Sequence, residues 1–83
     1  MSYYLYIILC KNNKLYTGIA QDPAARFELH KKGKGAKYTQ RNKPIRVVYT
    51  EKFKTRSEAL KRESEIKKLS KSKKVNLIKD LPF

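Results

Sequence analysis

The longest apolar run, Leu5 to Cys10 with Tyr6 inside it, lies in the segment YYLYIILC at 3–10 and limits what this chain can build. Aromatic and β-branched residues in succession favour an extended strand. The run is far short of the ~20 apolar residues that a membrane-crossing helix needs. After the polar turn KNNK, residues 15–20 supply a second strand, so the two are expected to form a hairpin.

Asp22 followed by Pro23 is an N-cap with a proline at the first helical position, and Gly33 is placed to end the helix expected over 23–32. Residues 33–43, GKGAKYTQRNK, read as a glycine-bearing basic loop. A third strand follows in PIRVVYTEKF, 44–53. Thr55 with Glu58 forms a capping box for a helix to about Leu69, and Ser70 can cap a final helix over 71–80. The expected fold is an α+β sandwich in order β-β-α-β-α-α, a three-stranded, mainly antiparallel sheet flanked by helices, in one domain spanning 1–83.

With 21 Lys and Arg against 7 Asp and Glu in 83 residues, the formal charge is +14. Self-repulsion of that size opposes compaction and favours a polyanionic partner. The basic residues form two acid-free runs: Lys31, Lys32, Lys34, Lys37, Arg41 and Lys43, then Lys67, Lys68, Lys71, Lys73, Lys74 and Lys79. Without a base-reading motif beside them, they suit backbone and shape recognition of DNA, with RNA as the other candidate. Tyr38 is placed either to stack on an unpaired base or to pack on the domain. Cys10 is the sole cysteine, which excludes an intramolecular disulfide and a multi-cysteine zinc site and fits a cytoplasmic setting. No leader is recognisable.

On a helical wheel, Ala25, Phe27 and Leu29 define the apolar side of the first helix, and Arg26 and His30 fall inside that arc. Both are therefore expected to project toward the sheet. In the second helix Ala59, Leu60, Ile66 and Leu69 set the inward arc, and Glu63 lies between Ala59 and Leu60. Polar groups on apolar faces need partners. They are satisfied either by a functional cluster or by an Arg26–Glu63 ion pair with a core histidine. Tyr6 and Tyr16, on the two hairpin strands, bring two more hydroxyls toward the same region.

These residues match a pattern. The chain resembles the GIY-YIG nuclease family, most closely its small single-domain bacterial members, similar to the branched-DNA-resolving branch. The first signature stands here as Tyr4-Leu5-Tyr6, without the usual glycine and central isoleucine, and the second as Tyr16-Thr17-Gly18. Arg26 follows Tyr16 by ten residues and His30 follows Arg26 by four. GKGAKYT at 33–39 and RSEALKRESEIKKLSKSKK at 56–74 are similar to the family's loop and its Ala-x-x-x-Glu helix. Asn76 matches the family's later asparagine only loosely.

The resemblance implies a metal-dependent endonuclease acting on DNA, with branches, flaps and single strands as candidate substrates. It implies Tyr6, Tyr16, Arg26, His30 and Glu63 as catalytic residues and Glu63 as the ligand of one divalent ion, Mg²⁺ or Mn²⁺. Arg26 would grip the phosphate through its planar fork. Tyr6 would take the proton of the attacking water with His30 to relay or receive it, the pair acting as a unit, while Tyr16 orients water or phosphate. Two other functions compete with this one. A non-catalytic nucleic-acid-binding module would have no need of all five residues, and a basic RNA-associated protein leaves Arg26, His30 and Glu63 unexplained.

Overall fold

A computed structural model describes residues 1–79. Strands β1 (Tyr3–Cys10) and β2 (Lys14–Ala20) form the hairpin, followed by α1 (Pro23–Lys31), α2 (Lys37–Arg41), β3 (Pro44–Phe53), α3 (Arg56–Lys67) and α4 (Lys71–Ile78). The sheet order is β2-β1-β3 and both pairings are antiparallel. The apolar run thus becomes the central strand, the one position in a three-stranded sheet where both edges of a strand are paired. The hairpin turns through a short 3₁₀ segment in which Asn12 and Asn13 adopt φ of 62° and 59°. Asparagine tolerates that region better than other non-glycine residues.

Period-two alternation along β1 divides the core. Leu5 and Ile7 pack with Val48, Ile66 of α3 and Ile78 of α4 on one face. Tyr6, Ile8 and Cys10 pack with Ala20, Tyr16, Val47 and Phe27 of α1 on the other. The expected caps form: Asp22 accepts from Ala25 N–H, Thr55 and Glu58 make the reciprocal box, and Ser70 accepts from Lys73 N–H. Among the described residues no helix is long and apolar enough to cross a membrane.

Three expectations are corrected. The loop expected over 33–43 contains α2, a five-residue helix whose N-cap, Ala36, contributes no side-chain bond. Its one buried residue, Thr39, anchors it against α1 instead. The helix expected over 71–80 runs Lys71–Ile78, and position 80 lies outside the described residues. The helical wheels were also rotated: Ala25, Arg26, Leu29 and Leu60 are exposed, while Phe27 and His30 turn α1 inward. The apolar arcs of α1 and α3 extend beyond the core onto the walls of an open cleft.

Candidate active site

The cleft, of about 750 Å³, is lined by Tyr6 and Tyr16 from the hairpin, Gly18 of β2, Arg26 of α1, and Arg56 and Glu63 of α3. The exposed Leu29 and Leu60 also line it. The hairpin register sets Tyr6 directly opposite Gly18. A Cβ at position 18 would lie 2.6 Å from the Tyr6 hydroxyl oxygen and 3.2 Å from a Tyr16 ring carbon. The glycine of the second signature therefore leaves the space that the Tyr6 ring occupies.

Tyr6 is 1% exposed and His30 is 2% exposed. The Tyr6 hydroxyl is 3.0 Å from His30 Nε2, while His30 Nδ1 is 2.7 Å from Thr39 Oγ1. Thr39 in turn donates its hydroxyl hydrogen to the Ala36 carbonyl at 2.9 Å. The rings of Tyr16 and His30 are 5.1 Å apart by centroid, and Tyr38 leans on the far side of Tyr16 at 5.9 Å. A Cβ at Gly35 would lie 2.0 Å from His30 Nδ1, so the backbone after α1 runs directly against the imidazole and only glycine fits there.

Burial raises the Tyr6 phenol above its ordinary value of 10.0; Tyr16 and, less strongly, Glu63 add to this, and Arg26 pulls against it. Burial, and after it the Arg26 charge, lowers the His30 imidazole below 6.5, so His30 is neutral at pH 7. Tyr6 and His30, both neutral, are therefore joined by a hydrogen bond in which each group is able to donate or accept.

The five residues expected to be catalytic all meet here, His30 by its bond to Tyr6 and the other four on the cleft surface. Arg26 stands on the wall within electrostatic reach of Tyr6, exposed to the solvent that fills the cleft. Glu63, with its side chain 19% exposed, forms its ion pair with Lys67 Nζ at 3.4 Å, one turn along α3. In place of an Arg26–Glu63 pair, Glu63 is thus paired along its own helix with a lysine that is exposed to solvent. Tyr38 packs on Tyr16 while remaining exposed, which matches the packing alternative.

Lys31, Lys32, Lys34, Lys37, Arg41, Lys67, Lys68, Lys71 and Lys73 are exposed and Lys74 is half-buried. Lys31 pairs with Glu28 and lies over the Phe27 ring. Asn76 is exposed on α4 and does not line the cleft.

Sequence reasoning missed Thr39 and Arg56. Thr39 lies within the quoted GKGAKYT stretch, but its burial depends on α2, which was not expected. Arg56, the first residue of α3, had only its place next to the Thr55 cap as a signal, and that signal concerns helix initiation.

Comparison with known proteins gives a consistent result. The GIY-YIG catalytic domain matches residues 2–76. A UPF0213 protein of Staphylococcus aureus (strain Mu3 / ATCC 700698) is 51% identical over 79 residues, covering 95% of this chain and 96% of the relative. The solution NMR structure of a UPF0213 protein from Bacillus halodurans superimposes with a TM-score of 0.61 at 43% identity, over 95% of this chain and 84% of that one. A solution NMR structure from E. faecalis gives 0.64 at 41% identity, over 96% and 85%. With the signature tyrosines, Arg26, His30 and Glu63 gathered around one cleft, and the domain match spanning nearly the whole chain, this protein belongs to the GIY-YIG family, whose members are usually nucleases.

Proposed function

We propose that the protein is a metal-dependent endonuclease that hydrolyses phosphodiester bonds in DNA, recognising backbone and shape. The observation that carries this reading is the Tyr6–His30 hydrogen bond at the cleft floor, beneath walls that carry Arg26 and Glu63. A buried tyrosine-histidine pair moves protons. An exposed arginine and a carboxylate bracket a phosphate. Phosphodiester cleavage needs both kinds of group.

The donor set fits a hard divalent ion held by one protein ligand. Among the described residues no three His, Cys, Asp or Glu side chains come together as an all-protein cage. Mg²⁺ commonly takes one or two carboxylates and completes its shell with water and phosphate oxygens. Glu63, facing an open cleft, would hold Mg²⁺ or Mn²⁺ in that way, and the ion would neutralise charge on the phosphoryl oxygens. The remaining groups act from the chain itself: Arg26 and Arg56 are placed to bind phosphate oxygens, and Tyr16 to orient the water. Arg26 and Arg56 are the basic residues on the cleft wall, and the other exposed Lys and Arg residues, which lie off that wall, favour a polyanion with no sequence code.

The test uses duplex, single-stranded, flap and junction DNA with and without Mg²⁺, for the parent and for Glu63→Gln. The expected result is metal-dependent cleavage by the parent. In Glu63→Gln cleavage is lost while melting temperature is kept and DNA affinity is unchanged or tighter. Cleavage by neither protein, with DNA binding retained, would instead support a non-catalytic binding module. Full cleavage by a well-folded Glu63→Gln would overturn the metal role.

A further inference from the structure

We infer that Thr39 is a positioning residue that holds His30 in its Nδ1–H tautomer, so that the Nε2 lone pair faces the Tyr6 hydroxyl and proton transfer runs from Tyr6 to His30. The inference rests on the endonuclease reading for the purpose of that transfer, and on hydrogen-bond geometry alone for its direction.

A hydroxyl has one hydrogen to donate. Thr39 gives it to the Ala36 carbonyl at 2.9 Å, so toward His30 Nδ1 at 2.7 Å it can only accept. Nδ1 must therefore carry the hydrogen. A neutral imidazole then has a bare Nε2, and at 3.0 Å the Tyr6 hydroxyl must be the donor. Every member of the chain Tyr6 to His30 to Thr39 to the Ala36 carbonyl points the same way. Reversing it would either take the Thr39 hydrogen from the Ala36 carbonyl, leaving that carbonyl only the backbone N–H groups of Thr39 and Gln40 at 3.1 and 3.2 Å, or set two lone pairs facing each other between Thr39 Oγ1 and Nδ1.

The surrounding backbone reinforces this direction. Gly35 lies against the imidazole with no room for a Cβ. Thr39 itself is 1% exposed, so water does not compete for Nδ1. The basic segment between α1 and β3 consequently does more than carry Lys34, Lys37 and Arg41: it packs Gly35 and Thr39 against the histidine.

In the reaction, the Tyr6 hydroxyl oxygen accepts a proton from the attacking water as the Tyr6 proton passes to His30 Nε2. The water becomes hydroxide, Tyr6 is neutral throughout, and His30 ends as imidazolium, its Nδ1–H still held by Thr39. The proton balance is complete, and Tyr6 never has to stand as a free phenolate. The hydroxide oxygen bonds to phosphorus as the bond from phosphorus to the leaving oxygen breaks, that oxygen takes a proton from solvent in the open cleft, and the His30 proton returns to solvent through Tyr6 when the products leave.

The chain has a single histidine, so its imidazole ¹⁵N signals are unambiguous. The experiment records them for the parent protein, Thr39→Ser and Thr39→Val at neutral pH, with single-turnover cleavage and DNA affinity for each. The expected parent spectrum shows Nδ1 protonated and Nε2 bare. Thr39→Ser keeps that spectrum and cleaves within a few-fold of the parent. Thr39→Val loses tautomer preference and about 100-fold or more in cleavage rate, the scale of a general acid–base contribution, with DNA affinity unchanged because Thr39 does not line the cleft. A parent spectrum with Nε2 protonated would overturn the inference, as would Thr39→Val with full cleavage or Thr39→Ser as impaired as Thr39→Val. If Thr39→Val fails to fold, the parent spectrum and Thr39→Ser still decide. If the parent protein cleaves nothing, the endonuclease reading falls while the spectrum continues to judge the tautomer.

Discussion

Gly18→Ala should destabilise this protein, although replacing a strand glycine by alanine ordinarily gains about 0.5–1 kcal/mol through lost chain entropy. The added Cβ would stand 2.6 Å from the Tyr6 hydroxyl oxygen and 2.8 Å from the adjacent ring carbon, where ordinary contacts begin at 3.4 Å. Tyr6 cannot simply swing away, because it is fully buried and its hydroxyl is bonded to His30 at 3.0 Å. Overpacking of this kind costs roughly 1–3 kcal/mol, and a strained or broken buried hydrogen bond costs about 1 more. The net loss is about 1–3 kcal/mol. For a domain of this size each kcal/mol lowers the melting temperature by about 4–8 °C. Because a displacement near 1 Å at a reacting group can cost ~100-fold in rate, cleavage should fall by that order even where the variant remains folded. Thermal denaturation and Mg²⁺-dependent cleavage, measured together, provide the check. A variant that melts at or above the parent and cleaves equally well would refute the claim that Gly18 makes room for Tyr6.

Thr17 Oγ1 is buried on the opposite face of β2 without a hydrogen-bond partner among the described residues. Thr17→Val should therefore raise stability by about 1 kcal/mol, measured by urea or heat, because it removes an unpaid desolvation. Glu51 is bound bidentately by Arg62, at 2.9 Å and 3.0 Å, and by the Tyr49 hydroxyl. Burial opposes its ionisation, but these bonds and the Arg62 charge hold its carboxyl below the ordinary 4.5. A lowered folded value means that the stabilisation is present above pH 4.5 and is lost as pH falls through the folded value. Glu51→Gln should thus lower stability at pH 7 and flatten its acid dependence in denaturant titrations. DNA affinity should decline with salt at a log–log slope of about −0.9 per phosphate neutralised, with little change between duplex sequences; a salt-independent affinity measured by fluorescence anisotropy would exclude the electrostatic mode.

The elements that the sequence announced are those whose signals are local. Asp22–Pro23, the Thr55–Glu58 box and Ser70 each place a helix start to the residue, because a cap bonds to backbone two or three positions away. The aromatic and β-branched run YYLYIILC, with the polar KNNK turn after it, likewise announced the strand and its hairpin partner. What was not legible depends on distant residues. KYTQR has neither a side-chain cap nor an apolar stripe, and it becomes α2 with Thr39 seated beneath His30. The wheel of α1 identified an apolar arc but not what it faces; Leu29 turns to the cleft while His30 enters the core. A helix wheel counts faces, and the sheet decides which face is covered. The same reason explains why His30 and Glu63 were legible as out of place while Arg26 was assigned to the wrong side.

Arg26 was misplaced because the site has a dry half and a wet half, and residues for both lie on one helix. Tyr6, His30 and Thr39 are excluded from solvent, where a hydrogen-bond chain can keep one tautomer and one direction. Arg26, Arg56 and Glu63 line the open cleft, where under the proposed function phosphate and a hydrated cation would arrive and leave. Arg26 and His30 are one turn apart on α1, a spacing that puts side chains on the same face with centres about 5–6 Å apart. That separation is enough for one to reach the cleft and the other the core when the helix lies along the boundary. The four-residue spacing therefore joins the two halves: it ties the group that would grip phosphate to the group that would receive the proton, on a backbone too rigid for either to drift. Moving either residue by a single position would rotate it by about 100°, taking Arg26 off the cleft or His30 out of reach of Tyr6 and Thr39. Under the proposed function, spacing on α1, more than residue type alone, would give the dry proton relay a substrate to act on.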